Sequence, residues 1–206
     1  MSGIMIVIIA GPSGSGKTTI GTGLASRLGW TFADADTFHS AAAVAKMHRG
    51  EPLTAADRRP WLHAIGAWMD ERTAAGESAV VTCSALRREY RDTLLGGRPA
   101  VTLVYLLEDQ DTLARHLAGR RGHFFPPDLL ASQLAAQEVP QDEPQVVVVT
   151  VTPDGSPADT VTQIVTRLRL DGPPRYRVRT RARAPRPGSP GRSSSDSRCT
   201  KARPWS

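Results

Sequence analysis

The chain has 206 residues, 26 Lys+Arg against 20 Asp+Glu, and a formal net charge of +6, room for one ordinary domain and not comfortably for two. Its charge is lopsided. Residues 171–206 hold 10 Lys+Arg against 2 Asp+Glu, which leaves 16 against 18 in residues 1–170. The basic pI of about 10.0 is therefore no argument for nucleic acid or an anionic membrane as partner of the folded part, and two cysteines, Cys83 and Cys199, exclude a disulfide framework or a paired Cys/His zinc site and fit a reducing compartment.

In chain order, residues 4–9 form an uninterrupted β-branched run of strand length, the pattern of a strand buried on both faces of a parallel sheet. It is too short for a membrane span and has no basic segment before it, so a soluble cytoplasmic protein is expected. Residues 79–83, 101–106 and 146–151 read as further strands. Helices are expected at 17–28, 42–48, 57–75, 87–95, 110–119, 127–138 and 158–170. Strands alternating with helices predict an α/β domain over residues 1–170, a parallel sheet with helices on both faces. From Asp171 the chain turns to Pro, Arg, Ser and Gly. Such a segment buries too little to offset its ordering entropy, so 171–206 is expected to be a disordered basic tail. Its arginines are not interleaved with aromatic platforms, which disfavours nucleic acid as its partner.

Gly11-Pro12-Ser13-Gly14-Ser15-Gly16-Lys17-Thr18 matches G-x-x-x-x-G-K-[ST] between a strand and a helix, the context the motif requires. The glycines let backbone N–H groups wrap a phosphate, and the helix N-terminus, extended by Thr19, adds partial positive charge. Lys17 reaches the β- and γ-phosphates and the Thr18 hydroxyl ligates Mg²⁺. ATP and Mg²⁺ are the expected cofactors, and the fold becomes P-loop NTPase-type. Motors and GTPases share this loop, but the strand at 79–83 ends in Ser84-Ala85 with no carboxylate, and no N-K-x-D segment reads guanine. Glu108-Asp109 follows the next strand, where helix capping and metal contact are both open. A carboxylate pair does appear in Phe32-Ala33-Asp34-Ala35-Asp36. On extended backbone Asp34 and Asp36 would project from one face toward the phosphates, one for a metal-bound water and one for an acceptor hydroxyl.

Six stretches together, residues 11–18, 34–39 (DADTFH), 46–53 (KMHRGEPL), 57–62 (DRRPWL), 83–92 (CSALRREYRD) and 122–125 (GHFF), resemble the bacterial gluconokinase family within the shikimate-kinase-like P-loop group. The resemblance spans about residues 6–170. It implies transfer of the ATP γ-phosphate to the 6-hydroxyl of D-gluconate and suggests a homodimer. It implies that Asp36 faces the acceptor hydroxyl and Asp34 the magnesium side, the two roles being interchangeable, that Arg58 clamps the acceptor carboxylate or phosphoryl group, and that Arg87 and Arg91 line the same cleft. His39, Lys46, Ser84 and His123 become hydroxyl or phosphate contacts. Arg115, Arg120 and Arg121 precede the segment that forms a mobile lid in this group, and Arg120 or Arg121 is expected to meet transition-state charge. Residues 152–155 are expected beside adenine. Runs of alanine at 41–43 and Val139-Pro140-Gln141-Asp142-Glu143 depart from the family pattern. Two rivals stay open: a kinase of this fold acting on shikimate or a nucleoside monophosphate, and a nucleic-acid-binding NTPase using the arginine-rich tail.

Overall fold

The computed structural model describes residues 3–109, 112–113, 134–152 and 155–170, all within the compact unit Met1–Pro174. The basic segment 171–206 lies outside the described residues.

Five parallel strands, β1 (Ile6–Ala10), β2 (Thr31–Asp34), β3 (Ala79–Thr82), β4 (Val101–Leu107) and β5 (Val146–Thr150), lie in the order β2-β3-β1-β4-β5. The described helices are α1 (Lys17–Leu28), α2 (Ala41–His48), α3 (Ala55–Ala74), α4 (Arg88–Leu95) and α5 (Pro157–Arg167), with a 3₁₀ turn at Ala35–Phe38. β1 is central, paired with β3 on one side and β4 on the other, and every residue of it is buried. That explains its unbroken apolar run, since both faces of a central strand are covered. The strand's period of two sorts the run. Ile6, Ile8 and Ala10 pack with Trp61, Leu62, Ile65 and Met69 of α3 and Leu94 and Leu95 of α4. Val7 and Ile9 pack with Ile20 and Leu24 of α1 and Val161, Ile164 and Val165 of α5. Each such side chain contributes about 1.5–3 kcal/mol by leaving water, so the two layers clamp β1 and aim its C-terminal end at the loop that follows.

Local signals set the helix ends. α1 stops at Gly29, whose N–H closes on Ala25 and Ser26 carbonyls at φ 66, the left-handed cap glycine favours. Thr54 and Asp57 form a reciprocal capping box at the start of α3, and Ser156 and Asp159 do the same for α5 with a proline in its first turn, satisfying otherwise orphaned N–H groups. α3 accordingly begins two residues before the expected 57. Of the expected helix 110–119 only 112–113 are described; of 127–138 residues 134–138 are, and there the helix has ended by Gln137 rather than at Glu138.

Candidate active site

The loop leaving β1 makes the first half of the site. Gly11 holds φ 142, and a Cβ there would meet the Leu106 carbonyl and Ser15 Oγ, each at 2.9 Å, so only glycine fits. Gly14 and Gly16 also lie at positive φ. The Pro12 carbonyl organises the turn, accepting from Ser15 N at 3.3 Å, Ser15 Oγ at 2.9 Å and Lys17 Nζ at 2.8 Å. α1 starts at Lys17 without a side-chain cap or an acidic residue in its first turn. Its N-terminal N–H groups thus add to a cradle with the polarity for an anion, flanked by the exposed Thr18 and Thr19.

The second half comes from the ends of β2 and β3. Thr18 Oγ1 donates to Asp34 Oδ2 at 3.2 Å, while Asp34 Oδ1 accepts from Asp36 N at 3.1 Å. One carboxylate thus closes β2, caps the 3₁₀ turn and touches the phosphate loop. The single-face expectation for Asp34 and Asp36 is corrected here: the chain leaves the extended form at Ala35, whose carbonyl accepts from Trp61 Nε1 at 2.7 Å, and Asp36 sits in the turn with its side chain 89% exposed. A hydroxyl and a carboxylate oxygen in contact suit Mg²⁺, a hard cation that usually takes one or two carboxylates and fills its remaining positions with phosphate and water. Among the described residues no cluster of three or more His, Cys, Asp or Glu could hold a metal alone.

Past the 3₁₀ turn, His39 stacks on Trp61 with ring centroids 4.5 Å apart, and its Nε2 lies 4.0 Å from Asp36. Burial pushes the imidazole below its ordinary value; Asp36 opposes that and Arg58 reinforces it. His39 is therefore a neutral partner at pH 7. Arg58 reaches toward Tyr90 from α3: its Nη1 lies 3.3 Å from the Tyr90 hydroxyl and its guanidinium carbon 5.9 Å from the ring centroid. Tyr90 escaped the sequence reading as a site residue, although it stands within the 83–92 stretch. Lys46 grips both Asp57 oxygens, at 3.0 and 2.9 Å, so Asp57 pairs with Lys46 and not with its neighbour Arg58. Arg87 is exposed and 3.5 Å from Glu89, and the Ser84 carbonyl accepts from Gly11 N at 3.2 Å.

Arg91 requires a correction. Its side chain is 1% exposed, and it forks onto Glu143, Nε to Oε2 at 2.8 Å and Nη2 to Oε1 at 2.6 Å. Its Nη1 donates to the Ala85 and Leu86 carbonyls. With Nε, Nη1 and Nη2 all engaged inside the protein, Arg91 supports the loop after β3 and has almost no exposed surface to offer a substrate. Its sequence neighbours Glu89 and Asp92 pair instead with Arg87 and Arg88. Asp109 is a cap, its two oxygens accepting from Thr112 N at 2.8 Å and Thr112 Oγ1 at 2.7 Å. Cys83 is buried, and burial lifts its thiol to about 12, which makes it inert. Arg115, Arg120, Arg121, His123, Phe124, Phe125, Pro153 and Asp154 lie outside the described residues.

A phosphate-loop motif at the C-terminal end of the central strand, beside a carboxylate and a cation-bearing flank, defines the class: a P-loop kinase. Residues 6–144 match the family model described as an AAA domain. A gluconokinase of Gluconobacter oxydans (strain 621H) is 48% identical over 141 residues, covering 68% of this chain and 79% of that protein. Among solved structures, an unliganded sugar kinase from Janibacter sp. HTCC2649 superposes with a TM-score of 0.74 at 41% identity, covering 82% of this chain and 96% of that one. A gluconokinase from Sinorhizobium meliloti 1021 gives a TM-score of 0.68 at 36% identity, covering 81% and 96%. The chain belongs to the gluconokinase family.

Proposed function

We infer that this chain transfers the γ-phosphoryl group of ATP to the 6-hydroxyl of D-gluconate, giving 6-phospho-D-gluconate and ADP. The observation that carries the reading is the direct Thr18–Asp34 contact, which joins the phosphate loop to the strand end leading into the Asp36–His39 turn, in a chain whose family relatives bear the name gluconokinase. Family membership implies ATP, and the oxygen pair fits Mg²⁺, which when bound neutralises developing charge on the phosphates. Lys17 and the loop N–H groups hold the β- and γ-phosphates in line. The contact of Asp34 with Thr18 supports it as the metal-side carboxylate, and by the family resemblance Asp36 takes the proton of the 6-hydroxyl as the new O–P bond forms and the bond to ADP breaks. Arg58 supplies the charge for the gluconate carboxylate, with neutral His39, Lys46, Ser84 and Arg87 as candidate hydroxyl contacts. Arg120, Arg121 and His123 keep the roles the resemblance implies. Among the described residues no helix is long and apolar enough to cross a membrane. A cytoplasmic homodimer is the assembly we propose, checked by light scattering.

The test is ATP turnover by the purified chain with Mg²⁺ and D-gluconate, shikimate, a nucleoside monophosphate or no acceptor. Turnover confined to gluconate and lost in Lys17→Ala is expected. Equal turnover without acceptor would refute the reading.

A further inference from the structure

The loop joining β3 to α4 carries Ser84 and Arg87, and its conformation is held from outside. Ala85 sits at φ 39, a left-handed backbone that a residue with a Cβ keeps only when its surroundings impose it. Three groups impose it. Arg91 Nη1 reaches the Ala85 and Leu86 carbonyls at 3.2 and 3.1 Å, and its other nitrogens are fixed by Glu143. Above this pair, the backbone N–H of Glu138 donates to the same Leu86 carbonyl at 2.9 Å, and the Glu138 carboxylate accepts from Arg88 N at 2.7 Å. That second bond caps α4, which has no cap of its own at Arg87. The loop's other end meets the phosphate loop through Ser84 O and Gly11 N.

We propose that Glu138 is a positioning residue for the acceptor: it secures the α4 end of the Ser84–Arg87 loop, so that Arg87 and, one turn along α4, Tyr90 with its partner Arg58 meet the sugar acid in a fixed arrangement. The inference rests on the reading of this side as the gluconate site. Glu138 is exposed and 50 residues from Arg88 in sequence, so its removal opens no cavity and perturbs neither the sheet nor the phosphate loop. Arg91 and Glu143 form the buried foundation; Glu138 is the part that can be altered while the fold stands.

The experiment compares the full chain with Glu138→Ala and Glu138→Gln, measuring kcat and KM for gluconate and for ATP, thermal midpoint, and amide hydrogen exchange over residues 86–88. The glutamine still offers Arg88 N an acceptor. Losing one charge-assisted hydrogen bond corresponds to about a 10-fold change. Glu138→Ala should raise KM for gluconate about 5- to 10-fold, leave KM for ATP within about 2-fold, and speed exchange at Arg88, with the thermal midpoint little moved. Glu138→Gln should stay near wild type in all of these. An unchanged gluconate KM in Glu138→Ala, parallel rises in both KM values, or a glutamine variant as impaired as the alanine would each overturn the proposal. Exchange at Arg88 reads the brace without any substrate. A wild-type chain inactive on gluconate would therefore sink the functional reading, and unaltered Arg88 exchange in Glu138→Ala would separately sink the brace.

Discussion

Glu143→Ala takes the carboxylate from a guanidinium that is 1% exposed and leaves Arg91 without its bidentate partner, in a pair whose two sides are 1% and 6% exposed. Truncating one member of a buried pair costs about 3–5 kcal/mol, because the remaining charge stays desolvated. For a domain of this size 1 kcal/mol moves the thermal midpoint by about 2–4 °C, so a drop of about 6–20 °C is expected. Circular dichroism melting at pH 7 measures it, with Asp92→Ala as the control. That control removes the Arg88–Asp92 pair, 55% and 62% exposed, and exposed pairs contribute little. The pH dependence has a definite sign. Arg91's hydrogen bond holds the Glu143 carboxyl below its ordinary 4.5, so the folded value lies under the unfolded one. The pair's contribution is complete above pH 4.5 and disappears as pH falls through the folded value, and the gap between wild type and Glu143→Ala should close in that acid window. A midpoint shift under about 3 °C at pH 7, or a gap unchanged down to acid, would refute the assignment of Arg91 to support.

Other perturbations probe the site itself. Arg58→Ala should raise KM for gluconate about 10- to 100-fold yet barely alter turnover of uncharged gluconamide, and Tyr90→Phe should do the same more mildly; equal losses on both acceptors would remove Arg58 from the carboxylate. Gly11→Ala drives a methyl group against the Leu106 carbonyl, so ATP KM should rise at least 10-fold in a chain with a native circular dichroism spectrum, and near-normal ATP affinity would contradict the close approach. In a Cys199→Ser background, the Cys83 thiol, raised to about 12, should resist a disulfide reagent at pH 8 until the protein is unfolded; rapid labelling of the native chain would show that it is not buried.

What could be read from the sequence was local. α1 spans the expected 17–28 because both of its ends are written in adjacent residues, the phosphate-loop motif and Gly29. β1 begins at Ile6 and not at Ile4, which is 40% exposed and lies before the ladder starts, a boundary that apolar character alone does not mark. The Asp34–Asp36 argument failed because a period of two needs extended backbone. The chain bends at Ala35 because Asp34 caps a 3₁₀ turn there, a turn that an indole 26 positions away also anchors. Arg91 was misjudged for the same reason: its partner stands 52 residues on, inside a stretch that looked only like a departure from the family pattern. Lys46 and Asp57, 11 apart, likewise meet through the turn between two helices. Residue types and motifs carried the chemistry, whereas which charges cancel one another is decided by tertiary pairing.

Asp57 illustrates what such pairing does to motion. Its carboxylate accepts from Thr54 N and Oγ1 at 2.9 and 2.8 Å as the cap of α3 and grips Lys46 of α2 at the same time. The lysine and the cap hold its acid constant far below the ordinary carboxylate range, so the carboxylate stays charged as pH falls through that range. Swinging α2 away from α3 gives up the ion pair, while the cap, made within Thr54 and Asp57, stays with α3. A displacement of this flank that keeps the pair carries α2 and the first turn of α3 together.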